Sequence, residues 1–111
     1  MAIKHVSNIT IEVGMDENRV PEEIKWSASD GGIANEPSDS LMLSFWDANA
    51  QETLRIDLWT KTMPLNEMKR FYQQTFLSMA DSYLRATNDE ELADQMRQFA
   101  DYMAEKIQEK E

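Results

Sequence analysis

The chain has 111 residues, no cysteine and a formal net charge of -10. That length suits one domain with a modest core. The lack of cysteine excludes disulfide and thiolate chemistry, and the acidity argues against nucleic acid and anionic membrane surfaces as partners.

Apolar residues make up 41% of the chain, and three Trp, three Tyr and four Phe argue for a folded protein. No apolar run reaches the roughly 18 residues of a membrane helix. Met1-Ala2-Ile3-Lys4-His5 opens no long apolar segment, so the expected setting is the cytoplasm, with no membrane insertion. The acidity serves solubility, or else offers a docking surface for a basic partner.

Ile9-Thr10-Ile11-Glu12-Val13 alternates strictly and predicts a half-buried strand ended by Gly14. A polar loop follows and closes at Pro21. Asp16 and Asn18 have the spacing that opens a calcium loop, but Pro21 stands where glycine is needed and Ser27 where the final acid is needed, so no metal is expected. Residues 22–28 alternate again, with Ile24, Trp26 and Ala28 on one face of a second strand. Residues 29–39 collect glycine, proline and acids, and predict a connecting loop reversed at Gly31-Gly32.

Leu41-Met42-Leu43-Ser44-Phe45-Trp46 and Thr53-Leu54-Arg55-Ile56-Asp57-Leu58-Trp59 predict a hairpin of two strands. Pairing Trp46 with Thr53 places Leu41, Leu43, Phe45, Leu54, Ile56 and Leu58 on one face, the expected core. The other face carries Met42, Ser44, Trp46, Arg55, Asp57 and Trp59. Two tryptophans and a methionine there indicate either an interface or strand ends covered by loops or termini. The candidate interaction face is therefore Met42, Trp46, Arg55, Asp57 and Trp59. Arg55 and Asp57 are expected to form an ion pair.

From Pro64 the apolar period changes from two to nearly four. Leu65, Met68, Tyr72, Phe76, Met79 and Tyr83 form a stripe widened by Phe71 and Thr75, and predict a helix over about 64–86. Thr87 with Glu90, or Asn88 with Glu91, offers a capping box for a second helix over about 89–108. Its stripe is Leu92, Met96, Phe99, Met103 and Ile107. The eight methionines fill this core or line an adaptable groove.

The expected architecture is α+β: a four-stranded, mainly antiparallel sheet followed by two C-terminal helices packed on one face, in a single domain over 1–111. The order of elements is similar to that of the export chaperone SecB. The open sheet face suggests a homo-oligomer. No catalytic residues, metal ligands or cofactor are expected. The one histidine, His5, stands in an N-terminal tail expected to be mobile, and the acid pairs Glu22-Glu23 and Glu90-Glu91 point apart.

Several blocks carry a resemblance. Ile9-Thr10-Ile11-Glu12-Val13, the run from Asp16 to Glu22, Trp26 and Asp30-Gly31-Gly32 resemble the gliding motility-associated protein GldC family. So do Leu54 to Lys61, Met63-Pro64 and Leu84-Arg85-Ala86-Thr87. The resemblance implies a small soluble protein of Bacteroidetes-type bacteria, an accessory of gliding without known catalytic activity. It implies action through an unidentified protein partner of the motility or secretion machinery. A chaperone-like binder of unfolded export clients is the alternative.

Overall fold

A computed structural model describes residues 2–110. Its elements in chain order are β1 (Ile9–Met15), β2 (Pro21–Ala28), β3 (Ile33–Ser38), β4 (Ser40–Asp47), β5 (Glu52–Trp59), α1 (Leu65–Thr87) and α2 (Glu90–Lys110). The class is α+β. The chain divides into two compact units, Met1–Met63 and Pro64–Glu111.

The strands form two antiparallel sheets, β1-β2-β3 and β4-β5, in place of one four-stranded sheet. The four-then-two order that suggested SecB becomes five-then-two. The added strand is β3, in the stretch expected to be loop. Its residues are poor strand formers, and two features accommodate them. Pro37 can pair because β3 is an edge strand, where a missing N–H need not break a ladder. Asn35 takes a left-handed φ of 51° at an irregularity in the β2-β3 register, with its N–H donating to Ser27 Oγ at 3.0 Å. The preceding reversal uses Gly32 at φ 66°, where a side chain would be strained.

In the first sheet, Ile11 pairs with Trp26 and Val13 with Ile24. Ile24 is the most buried large side chain among the described residues, 1% exposed. His5 is more than a free tail residue. Its Nε2 lies 3.1 Å from both carboxylate oxygens of Asp30, and Asn8 exchanges hydrogen bonds with Ser29.

Only Asp39 separates β3 from β4. There the two sheets are joined. Thr60 N–H donates to Asp39 O at 2.8 Å, and Lys61 N–H donates to Pro21 O at 2.9 Å. Ser38 Oγ donates to Ser40 O at 2.6 Å. Ser40 and Thr60 are both buried at this junction.

In the helical unit, Pro64 precedes the first helical residue with φ -66°, and Glu67 lies in the first turn, favourable to the helix dipole. Asn88 closes α1 in the left-handed conformation, with its N–H donating to Leu84 O at 2.9 Å. The cap of α2 is Asp89, rather than Thr87 or Asn88. Its Oδ1 accepts from Leu92 N–H at 3.1 Å, and its Oδ2 accepts from Tyr83 O–H at 3.1 Å. Asn88 is committed to ending α1, so the next acceptor starts α2.

The helix seam follows the expected stripes in part. Met68, Phe76, Tyr83, Met96, Met103 and Ile107 are half-buried, but the fully buried residues are Ala80, Ala93 and Ala100, while Leu65, Tyr72, Met79, Leu92 and Phe99 are exposed. Small side chains let the axes approach, and the larger neighbours project beside the seam. Phe76 and Phe99 meet edge-on there at 5.5 Å. Across the seam, Arg97 bridges Asp81 and Asp94, each at 2.9 Å.

Two stability predictions follow from these contacts. Replacing Asp89 by Ala removes the cap and should destabilise the helical unit by about 1 kcal/mol, read as a lower melting temperature by circular dichroism. Thr60 Oγ1 is buried with no hydrogen-bond partner among the described residues. Thr60→Val deletes that unsatisfied hydroxyl and should stabilise by about 1 kcal/mol, read as a higher urea midpoint.

Candidate interaction face

The register of β4 and β5 is the one expected from pattern. Trp46 pairs with Thr53, Phe45 with Leu54, Ser44 with Arg55, Leu43 with Ile56, Met42 with Asp57 and Leu41 with Leu58. Alternation along paired strands therefore places Met42, Trp46, Arg55, Asp57 and Trp59 on one face. A turn held by Asp47 fixes this register: its Oδ1 accepts from Asn49 N–H at 3.0 Å and Ala50 N–H at 3.3 Å. Gln51 completes the turn at a positive φ of 54°.

The two tryptophans stand at opposite ends of the face, roughly 20 Å apart along the strands. Within the strand unit neither is covered: Trp46 is 63% and Trp59 51% exposed. Between them lies the expected ion pair. Arg55 donates to both carboxylate oxygens of Asp57, at 2.7 and 3.3 Å, and also to Ser44 Oγ. The fork-on-carboxylate geometry fixes both side chains and cancels their charge. The face thus offers two large aromatic surfaces around a neutral, oriented polar centre. Trp and Arg are the residue types most often found to dominate protein contacts.

On the reverse face, the strand unit by itself leaves Phe45, Leu54 and Ile56 of the expected core exposed, while Leu41, Leu43 and Leu58 are half-buried. The two-stranded ribbon is shielded at its junction end and bare toward its turn. Alternation identifies which residues share a face, whereas coverage depends on what packs against it.

One cluster was not legible beforehand. Lys61 Nζ reaches Glu22 Oε1 at 2.7 Å and Asp16 Oδ2 at 3.0 Å. Asp16 Oδ1 also accepts from Asn18 N–H at 2.8 Å and Val20 N–H at 3.0 Å. The Val20 amide, then Lys61, hold the Asp16 carboxyl below its ordinary range. Glu22, then Asp16, raise the Lys61 ammonium above its ordinary value. The spacing that resembled a calcium loop instead builds an Asx turn clamped by a lysine 45 positions away. Beside it lies an open depression of about 280 Å³ lined by Val20, Pro21, Asp57, Leu58, Trp59 and Lys61. This extends the candidate face at its Trp59 end. No group of three or more His, Asp or Glu residues able to hold a metal occurs among the described residues. No described helix is long and apolar enough to cross a membrane.

The family model for gliding motility-associated protein GldC-like matches residues 21–109. The chain belongs to that GldC-like family. The match runs from the start of β2 to the penultimate residue of α2, and includes the whole candidate face and all of α1. No curated protein and no solved structure matches the chain.

The clamp generates a pH prediction. A lowered Asp16 pKa contributes stability that is present above its unfolded value and lost as pH falls through the folded one. A raised Lys61 pKa contributes stability that is present below its unfolded value and lost as pH rises through the folded one. The clamp should therefore weaken in acid below about pH 4 and in alkali above about pH 10. In Lys61→Met, the fall in urea midpoint between pH 7 and pH 3 should be smaller than in the parent.

Proposed function

We propose that this GldC-like protein is a cytoplasmic, non-enzymatic accessory of gliding motility that works by binding another protein through Met42, Trp46, Arg55, Asp57 and Trp59. Family membership supports the process. The observation that carries the molecular reading is the exposure of both tryptophans on a ribbon whose intervening charges neutralise one another. Large rigid aromatics lose little conformational entropy on docking. A paired Arg55 and Asp57 can be covered by a partner at lower desolvation cost than either charge alone.

A second reading, a chaperone-like binder of unfolded export clients, draws on the exposed Phe45, Leu54 and Ile56 of the reverse face. An unfolded segment presents apolar side chains that would satisfy such a surface without a fixed partner sequence.

The double variant Trp46→Ala/Trp59→Ala should keep its circular dichroism spectrum. It should lose motility or secretion components recovered by in-cell crosslinking, with binding weakened by about 2 kcal/mol or more. Recovery of the same components at parental yield would remove the proposal. The chaperone reading requires suppression of aggregation of a panel of unrelated unfolded proteins. It also requires loss of that suppression in Phe45→Ser/Ile56→Ser, with Trp46→Ala/Trp59→Ala less affected.

A further inference from the structure

The two edges of the β1-β2-β3 sheet are finished differently. Ser29 N–H donates to Asn8 O at 3.0 Å, which carries the β1-β2 register one pair beyond Ile9 and Ala28. Bonded and open pairs alternate along an antiparallel ladder. Thr10 and Glu12 therefore bond to β2, while Ile9, Ile11 and Val13 turn their N–H and C=O groups to the outer edge. The same alternation turns Pro37 to the outer edge of β3, where it has no N–H to offer. The nearby Asn35 N–H is already spent on Ser27 Oγ. β3 is blunted against a further strand, whereas Ile9 to Val13 of β1 holds no proline, no lysine and no irregularity.

No other strand of the chain pairs at this edge: β2 lies on its inner side, β3 beyond that, and β4-β5 is a separate sheet. The helices cannot serve instead, because α1 and α2 bond their backbone groups internally and offer no ladder in any orientation. The side chains say what a guest strand should carry. Ile9, Ile11 and Val13 share one side of β1, and Glu12 is exposed on the other. Lys25 lies opposite Glu12, but its ammonium is held by Glu23 at 3.1 Å, and Glu12 makes no ion pair among the described residues. An open depression of about 290 Å³, lined by Glu12, Val13, Gly14, Glu23 and Lys25, gives a long side chain room beside that carboxylate.

We infer that the outer edge of β1 takes up an extended segment of another protein as a fourth strand, apolar at alternate positions and bearing a lysine or arginine beside Glu12. Charge favours such a segment over a second copy. Pairing β1 with itself would join two chains of charge -10, and β1 has no cation to set against either Glu12. The inference is independent of the proposed function, because it uses no residue of the tryptophan face.

The test follows amide hydrogen exchange by NMR in the isotope-labelled full chain. In the free chain, at the 12.9 kDa mass of one copy, Thr10 and Glu12 should exchange slowly and Ile9, Ile11 and Val13 fast. The probe is a blocked peptide of alternating valine and lysine, with the seven-residue length of β1. At saturation it should slow Ile9, Ile11 and Val13 by about tenfold or more. A peptide alternating valine and glutamate should bind about threefold more weakly or worse, and Glu12→Lys should reverse that preference. Ile11→Pro removes one outward donor and spares the bonds to β2, so it should abolish the protection. If that variant fails to fold, the exposed Glu12→Lys still decides. Slow exchange at Ile9, Ile11 and Val13 in the free single copy would mean that the chain covers its own edge. The same with a doubled mass would mean that a second copy does. Either result would overturn the inference, as would a lysine peptide that leaves these amides fast or binds no better than the glutamate peptide.

Discussion

Two backbone hydrogen bonds at one corner hold the strand unit together: Thr60 to Asp39 and Lys61 to Pro21. An isolated two-stranded ribbon is marginal in water. The β4-β5 ribbon persists because its open end is tied into the first sheet, where Ile24, Ser40 and Thr60 are buried. The Lys61 ammonium adds an ionic clamp to the β1-β2 turn and β2. Because that clamp is partly exposed, salt and extremes of pH weaken it more readily than they weaken the backbone tie.

Anchoring at one end leaves the turn end of the ribbon without cover from the first sheet. The far part of the ribbon presents apolar side chains on both faces, Trp46 on one and Phe45 with Leu54 on the other. Leaving such groups in water forgoes roughly 1.5–3 kcal/mol for each large side chain that could be buried. The helical unit has the same character. Its alanine seam lets the helices approach closely but leaves the larger apolar residues outside. The described residues supply aromatic and methionine surface together with paired charges.

The candidate face was legible because period-two alternation and a short turn leave one register that keeps the apolar set together. Leu43 opposite Ile56 and Trp46 opposite Thr53 follow from that alone. The Arg55-Asp57 pair follows as well, since residues two apart on a strand share a face. β3 was not legible. Asn35 and Pro37 are locally unfavourable to a strand, and only an edge position beside β2 accommodates them. The α2 cap lies one or two residues beyond the expected position, because Thr87, Asn88 and Asp89 are all capable caps. The left-handed turn at Asn88 selects Asp89.

The amino-acid pattern by itself determined the α+β class, the change of period at Pro64, the β4-β5 pairing and the residues of the tryptophan face. All of these depend on neighbours or on a single turn. Tertiary structure decided the division into two sheets, the reach of Lys61 back to Asp16 and which apolar side chains stay exposed. Those outcomes depend on groups far apart in the chain, and local periodicity carries no information about where such groups meet.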